Sequence, residues 1–319
     1  AGSGRMESIS MKLAGHTMGT PEYTLFEAVD LFADMGLDGI EVIVQTDGYP
    51  CGIPLEAGEE EIDALAEKAR QRGIEISGLT PYLNLFNSTN EQEREEECRR
   101  LRQVIRMAER LGTKNIRIYG GHLVEGEQDE NGEKRRQLIR SMRECGDYAR
   151  DHGVIRLDLE NHFGTMTSTA RETAGIVKEI AHPNVGVLYD QANIAFFPAE
   201  EYEEAIALQK DYIYYVHCKD LVYREDGPKK AVFSQVTHVD PSERTVHSRI
   251  PGQGILNWPA ILAKLREIGY DGWISLEYER RWIQTDLPEA KEGMPIAAAY
   301  IRSIMEGLEA DLDRERRRA

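Results

Sequence analysis

The sequence has few cysteines and no long hydrophobic run, and each absence excludes a class of protein. Its four cysteines show no CxxC spacing, so we predict reduced thiols and no disulfide framework. No stretch approaches the ~18 consecutive apolar residues of a membrane-spanning helix, and no signal-peptide pattern opens the chain. We therefore expect a soluble, cytoplasmic protein without a membrane partner.

Positive charge is also scarce. The 39 lysines and arginines are outnumbered by 56 aspartates and glutamates, for a formal net charge of −17. Such a surface repels phosphate backbones, so we expect no nucleic-acid partner. The visible basic cluster, Arg314 to Arg318, lies in a stretch that we interpret as a charged, solvated tail over residues 313–319.

Between the termini, short β-rich apolar runs alternate eight times with longer amphipathic stretches. This alternation is typical of repeated βα units and a parallel sheet. The first predicted strand runs into Gly15–Gly19, which lacks the GxGxxG pattern of dinucleotide-binding sheets. We predict an α/β fold, a single-domain (β/α)8 TIM barrel over residues 6–312. Residues 1–5, before Met6, are typical of a leftover from cloning.

The predicted elements follow one another with short connections. Strands are predicted at residues 11–14, 39–44, 74–79, 115–119, 154–160, 185–190, 212–217 and 273–277. Helices are predicted at 24–35, 59–72, 90–111, 132–152, 168–181, 199–210, 258–268 and 290–312. The exception is a loop of about 30 residues after the seventh strand, which is long enough to be a functional lid.

Polar side chains stand at the C-terminal ends of four successive predicted strands, where α/β barrels carry their working residues. They are Glu160, Asp190, His217 and Glu277. Crowded carboxylates repel one another unless a cation neutralises them. The mixed oxygen and nitrogen set therefore predicts one divalent metal ion, with Mn²⁺ preferred and Mg²⁺ or Co²⁺ as alternatives.

Two further residues are predicted to point into the barrel mouth, because each lies two positions beyond a ligand candidate. His162 follows Glu160, and it is either a general acid or base or a histidine that orients a carboxylate. Lys219 follows His217, and it either stabilises an oxyanion or forms a salt bridge. Weaker candidates for the mouth are His16, Glu41, Tyr82, Asn84, His122, His238 and His247, with Phe196 and Phe197 as packing aromatics.

The strand-end segments resemble those of a known superfamily. They are Leu159-Glu160-Asn161-His162, residues 183–193, His217-Cys218-Lys219-Asp220, Pro251-Gly252-Gln253-Gly254 before Trp258, and Gly269-Tyr270-Asp271-Gly272 before Glu277. Together they resemble the xylose isomerase-like TIM barrels, often described as the sugar phosphate isomerase/epimerase family, over nearly the whole chain. The resemblance implies that Glu160, Asp190, His217 and Glu277 are the metal ligands, with catalytic roles for Glu160 and Glu277.

The sequence differs from the epimerases of that family at positions that react with or bind the substrate. Those enzymes abstract a proton next to a carbonyl with two glutamates, and the second glutamate position is Met166 here. Their histidine three residues after the aspartate ligand is Asn193, and Arg224 corresponds only approximately to their substrate-binding arginine. Asn193 and Arg224 are expected to bind substrate at these positions, and His16, which follows the first strand, and Glu41, in the second, are candidates to hold sugar hydroxyls.

His162 without a second glutamate resembles the lyase branch of the family, which includes keto-inositol dehydratases. That branch also includes the α subunit of C-glycoside deglycosidases, which act on 3-keto sugars joined to an aromatic aglycone and work with a small β subunit. The Gly15-His16-Thr17 and Tyr49–Gly52 segments resemble it too.

We therefore expect metal-dependent proton abstraction alpha to the carbonyl of a sugar or keto-sugar, ending in isomerisation, epimerisation or elimination. The expected partner is a small sugar or keto-sugar glycoside, with a homo-oligomer or a small β subunit as the protein partners considered. Two other classes stay open. One is a metal-dependent phosphodiesterase like the abasic-site endonucleases that share the barrel, and the other is a non-catalytic sugar-binding subunit.

Overall fold

A closed parallel barrel forms the centre of the molecule. The computed structural model describes residues 10–124, 126–195, 200–225 and 244–319. The strands are β1 (Lys12–His16), β2 (Gly39–Gln45), β3 (Gly52–Pro54), β4 (Glu75–Pro81), β5 (Asn115–Ile118), β6 (Arg156–Glu160), β7 (Val185–Tyr189), β8 (Ile213–Cys218), β9 (Asp220–Tyr223), β10 (Val246–Arg249) and β11 (Trp273–Leu276). Eight of them form the barrel, which closes because β1 pairs with both β11 and β2. β3 extends the sheet beside β2, and β9 and β10 form a separate antiparallel pair.

Helices connect successive barrel strands, and neighbours in the chain pack against one another. They are α1 (Leu25–Asp34), α2 (Glu59–Gln71), α3 (Glu91–Leu111), α4 (Glu133–Asp151), α5 (Ala170–Ile180), α6 (Gln191–Ala195), α7 (Tyr202–Gln209), α8 (Trp258–Glu267) and α9 (Ala290–Arg318). None of the helices within the described residues is long and apolar enough to cross a bilayer.

The helix ends follow local chemistry that is written in the sequence. Thr24 and Glu27 form a capping box at the start of α1, in which each side chain accepts a hydrogen bond from the other residue's backbone N–H. Asn90 caps α3 by accepting hydrogen bonds from two backbone N–H groups. Gly112 ends the same helix with a φ of 75°, a left-handed conformation that glycine adopts without steric cost.

The predicted barrel is confirmed, and most element ends differ from their predicted positions by one to three residues. One boundary is wrong. Helix α9 continues to Arg318, so most of the stretch interpreted as a tail is helical, supported by an ion pair one turn apart between Arg314 and Asp311. The short elements β3, α6 and the β9–β10 pair were not predicted, because each is too brief for a periodic pattern. Residues 1–9 lie outside the described part.

Asp220, which lies two residues beyond the end of strand β8, binds the segment that follows β10. Its carboxylate is 2% exposed and accepts four backbone hydrogen bonds, from Leu221, Gly252, Gly254 and Leu256, at N–O distances of 2.9–3.3 Å. A Cβ at Gly254 would stand 2.0 Å from an Asp220 oxygen, so only glycine fits there. The PGQG segment thus wraps a buried carboxylate, and this contact fixes the backbone beside Lys219.

We expect Asp220→Asn to lower the free energy of unfolding by roughly 3 kcal/mol, because the amide nitrogen cannot accept and leaves buried N–H groups unpaired. A urea titration followed by circular dichroism measures the change. Asp151→Asn, at the exposed end of α4, is the matched control and should change stability by less than about 0.5 kcal/mol. Equal stability of the two variants would contradict the proposed clamp.

Candidate metal centre and active site

Four strands deliver four ligand side chains to one point at the barrel mouth. Glu160 ends β6, Asp190 follows β7, His217 lies in β8 and Glu277 follows β11. One ligand atom from each lies within 4.8 Å of all the others, and all four residues are buried. The structure therefore brings together the complete set that the strand ends predicted.

The inward atoms of this set fit a divalent cation. His217 Nδ1 lies 2.8 Å from Glu277 Oε2, 3.5 Å from Glu160 Oε2 and 3.8 Å from Asp190 Oδ2. Glu160 Oε2 and Asp190 Oδ2 are buried and make no hydrogen bond within the described residues, and the cations nearest to them are Arg117 Nε at 3.7 Å and Lys219 Nζ at 3.3 Å. Three carboxylates and one imidazole converging on one point form a donor set suited to Mn²⁺, Mg²⁺ or Co²⁺.

Electrostatics point the same way. Burial raises the pKa of Glu160 to about 8; the Arg117 guanidinium opposes this shift, and the Glu277 carboxylate adds to it. A carboxylate with so high a pKa is poorly compensated by the protein around it. A bound cation would supply the missing positive charge.

A buried network behind His217 fixes the orientation of its ring. His217 Nε2 lies 2.9 and 3.0 Å from the two oxygens of Glu41, and the Thr80 hydroxyl also donates to Glu41. His16 Nε2 lies 3.2 Å from Glu41, while His16 Nδ1 accepts from the Met18 backbone N–H at 3.0 Å. A proton on Nε2, donated to Glu41, would leave Nδ1 as the atom that faces the ligand set.

This network changes the interpretation of two residues that the sequence offered as sugar contacts. His16 is fully buried and Glu41 is 1% exposed, and both face His217. The structure therefore places them behind a ligand, and contact of His16 with a substrate stays a prediction.

Lys219 forms the salt bridges that were one of its two predicted roles. Its Nζ lies 2.6 Å from Glu277, 2.8 Å from Glu279 and 3.3 Å from Asp190. Burial lowers the pKa of Lys219, but the three carboxylates raise it by more, so the net pKa is above its usual range. The ammonium group is therefore held charged between two ligands of the candidate metal site, and its role toward an oxyanion stays a prediction.

His162 has one nitrogen engaged and one available. Its Nδ1 donates to the Phe163 carbonyl at 2.7 Å, and Nε2 lies 3.7 Å from Glu160 Oε1 without a hydrogen bond to described residues. The ring edge packs against Tyr119 with 5.0 Å between centroids. Burial lowers the pKa of His162 to about 3, although its hydrogen bond to Phe163 opposes the shift. The imidazole is therefore neutral, with a lone pair beside the ligand set.

Asn193 supports the ligand set more directly than the sequence indicated. It is fully buried, and its amide donates to the Asn161 carbonyl at 2.8 Å and to Glu160 Oε1 at 3.4 Å. Its backbone N–H donates to Asp190 Oδ1 at 2.9 Å. Arg224 follows β9, where its backbone N–H donates to Thr245. Substrate contacts of Asn193 and Arg224 stay predictions.

The sequence analysis missed Arg117, which points into the barrel from β5. Its Nε lies 3.7 Å from Glu160 Oε2, and its guanidinium stacks 3.8 Å from the Tyr119 ring centroid. The available signal was its place between Ile116 and Ile118, because alternate residues of a barrel strand face opposite sides.

The other candidates from the sequence are dispersed. His247 pairs with Asp286 at 3.2 Å, Asn84 is exposed, and the His122 backbone bonds Asn87. Tyr82 lies beside Arg117, with 4.6 Å between the guanidinium and the ring centroid. The predictions for His238, Phe196 and Phe197 concern residues outside the described part of the chain.

Sequence comparison gives relatives over most of the chain. An uncharacterized protein of Methanocaldococcus jannaschii, MJ1311, is 27% identical over 89% of this chain and 87% of its own. The inosose dehydratase of Clostridium beijerinckii is 25% identical over 81% of this chain and 83% of its own. The 3-dehydroshikimate dehydratase of Bacillus anthracis is 25% identical over 70% of this chain and 74% of its own.

Solved structures share the fold at lower identity. The 3-keto-D-glucoside 4-epimerase YcjR of E. coli superposes with a TM-score of 0.69 at 16% identity, covering 92% of this chain and 100% of its own. A xylose isomerase-like TIM barrel protein of Mycobacterium smegmatis in complex with magnesium superposes with a TM-score of 0.69 at 17% identity, covering 94% of this chain and 97% of its own. The family model described as xylose isomerase-like TIM barrel matches residues 29–304. This chain therefore belongs to the xylose isomerase-like TIM barrel family.

Proposed function

We propose that the protein is a divalent-metal-dependent lyase that abstracts a proton alpha to the carbonyl of a keto-sugar and expels a substituent from the neighbouring carbon. The observation that carries the proposal is the convergence of Glu160, Asp190, His217 and Glu277 within 4.8 Å of one another, beside a neutral histidine and a charged lysine. Mn²⁺ is the proposed ion, with Mg²⁺ or Co²⁺ as alternatives.

The site offers complementary acid and base groups. A divalent ion in the ligand set supplies Lewis-acid polarisation of a carbonyl oxygen when bound. We assign His162 Nε2 to accept the proton from the carbon beside the carbonyl, since its other nitrogen is engaged and the carboxylates of Glu160, 3.7 Å away, and Glu277 favour the imidazolium that forms. We assign Lys219 Nζ to donate a proton to the departing oxygen or carbon substituent. The electron pair released by the C–H bond then forms the carbon–carbon double bond.

Elimination is favoured over epimerisation by the residue at the position of the epimerases' second glutamate. An epimerase needs a second group to return a proton, and the position that holds its second glutamate is Met166 here. Met166 is 9% exposed, and a thioether neither donates nor carries a proton. The dehydratase names of two relatives that match most of the chain support the same choice. A C-glycoside-cleaving reaction on a 3-keto sugar is the variant of this chemistry that the sequence motifs favour.

Isomerisation or epimerisation is the second candidate, because the first step of proton abstraction is the same and the fold is shared with sugar epimerases. A phosphodiesterase is disfavoured, since the chain carries a net charge of −17 that would repel a polynucleotide.

Removing the support behind His217 should weaken metal binding without removing a ligand. We expect Glu41→Gln to lower the affinity for Mn²⁺ by roughly 10–100-fold, because the amide fixes the His217 ring less well, and we expect His217→Ala to abolish specific binding. Calorimetric titration of the chelator-stripped protein measures both. Glu97→Gln changes a buried carboxylate outside the ligand set and is the control. Unchanged Mn²⁺ affinity in Glu41→Gln would show that the network does not orient the ligand.

The reaction type is tested with Mn²⁺-loaded protein, a panel of ketoses and 3-keto glycosides, and proton NMR in D2O. We expect loss of a substituent with formation of an enone or release of an aglycone. Deuterium incorporation with a new sugar isomer would instead establish the isomerase or epimerase. No exchange with any substrate, despite metal binding, would contradict proton abstraction by this chain alone and direct attention to a β subunit.

The base is assigned with a pair of histidine variants. We expect His162→Ala to lower kcat by about 10²–10⁴-fold, which is typical of removing a general base, with Mn²⁺ affinity retained. His152→Ala is the control, since His152 pairs with Glu109 at the end of α4 away from the ligand set. If His162→Ala keeps its rate, the proton acceptor is another group.

A further inference from the structure

A stack of arginines and aromatic rings extends from the candidate metal site along one side of the barrel mouth. The Arg117 guanidinium lies 3.8 Å from the Tyr119 ring centroid and 4.6 Å from that of Tyr82. Arg281 lies 4.7 Å from the Tyr82 centroid and 4.4 Å from that of Trp282. Tyr82 thus lies within stacking distance of two guanidiniums, that of Arg117 from β5 and that of Arg281 from the segment after β11. The proposed reaction uses none of these residues.

The stack contains buried donors that the described residues leave without acceptors. Nε and Nη1 of Arg117, Nη1 of Arg281 and Oη of Tyr82 are all buried and make no hydrogen bond there. The Arg117 side chain is 3% exposed and that of Arg281 is 7% exposed. A guanidinium can only donate, so these groups require acceptor oxygens from elsewhere. An unpaired buried donor is costly, and four in one cluster indicate a ligand.

Charge favours an acceptor that is negative. The carboxylate near Arg117 belongs to Glu160, which is committed to the ligand set at 3.7 Å from Nε. Arg281 bonds Asp47 through Nη2, but that aspartate side chain is 58% exposed and Nη1 makes no hydrogen bond to the described residues. Both guanidiniums therefore keep N–H donors without an acceptor, and such donors match the oxygens of a carboxylate or phosphate.

We propose that Arg117, Arg281 and Tyr82 form a donor subsite for an anionic oxygen group of the substrate, either a carboxylate or a phosphate. The inference rests on the proposed function, because the contact between Arg117 and Glu160 sets the subsite beside the end of the substrate that carries the carbonyl. It deepens that function by assigning an acidic keto-sugar as the substrate class.

The first test measures binding of probes that differ in a single group. Mn²⁺-loaded protein is titrated in a calorimeter with D-glucuronate, D-glucose 6-phosphate and D-glucose. We expect at least one acid to bind about tenfold more tightly than glucose, which corresponds to about 1.4 kcal/mol. A preference for glucuronate assigns a carboxylate, and a preference for the phosphate ester assigns a phosphate. Equal binding of the two acids and glucose would overturn the subsite.

Two variants separate the donor subsite from direct contact of the acids with Mn²⁺. Arg281→Met should reduce the preference for the acid about tenfold and Tyr82→Phe about threefold, as expected for losing a charged and a neutral donor. Mn²⁺ affinity should stay unchanged in both. Arg106→Met is the matched control, because Arg106 stacks on Tyr148 and donates to its hydroxyl on the outer surface. An acid preference that survives in both variants would overturn the proposal.

The two proposals fail in distinguishable ways. If the wild-type protein does not bind Mn²⁺, the proposed function fails, and titration of the same probes into metal-free protein still decides whether the donor subsite discriminates acids. If Mn²⁺ binds and the acids bind no better than glucose, only the donor subsite is wrong.

Discussion

The burial of several carboxylates at one end of the barrel is the constraint on which the rest of the site depends. Glu41, Glu160, Asp190 and Glu277 are each at most 4% exposed, and Glu279 joins them through Lys219. Such a concentration of negative charge is unstable without hydrogen bonds and positive charge. The network of His16, Thr80 and His217 satisfies Glu41, while Lys219 and Arg117 compensate the others only in part. The negative charge that remains uncompensated makes the centre suited to a cation.

The same constraint assigns different tasks to chemically similar groups. Glu41 accepts hydrogen bonds from His217 and Thr80 and is fully committed to the protein, whereas Glu160 keeps an unpartnered oxygen. His16 and His217 both lie against Glu41, but Nδ1 of His16 accepts from the Met18 N–H, whereas Nδ1 of His217 faces the ligand set. In each of these residues, the hydrogen bonds made by the atoms that face away from the ligand set therefore decide whether an atom facing it can bind a metal.

Barrel order and the four ligand positions could be predicted from the sequence because both follow from repetition. Each strand is a short apolar run, and equivalent strand ends meet at one height, so Glu160, Asp190, His217 and Glu277 were found by position alone. The roles of His16, Glu41 and Asn193 could not be found this way. They depend on which side chain lies behind which, and that follows from packing between β1, β2, β4 and β8 rather than from spacing. Arg117 was missed because it lies within a four-residue strand rather than at the strand end where functional residues were sought, although its isoleucine neighbours indicated that it faces the other side of the sheet.

The hydrogen bonds that Asp220 accepts fix the backbone beside Lys219 and leave the length of the segment between β9 and β10 free to vary. The antiparallel pairing of β9 with β10 and the bonds from Asp220 to Gly252 and Gly254 bring both ends of the intervening segment to the same point beside Lys219. Closing a loop costs only about 0.6 kcal/mol more for each doubling of its length once its ends are fixed. The number of residues between β9 and β10 can therefore change at a small cost in closure entropy, while Lys219, beside the fixed ends, keeps its place.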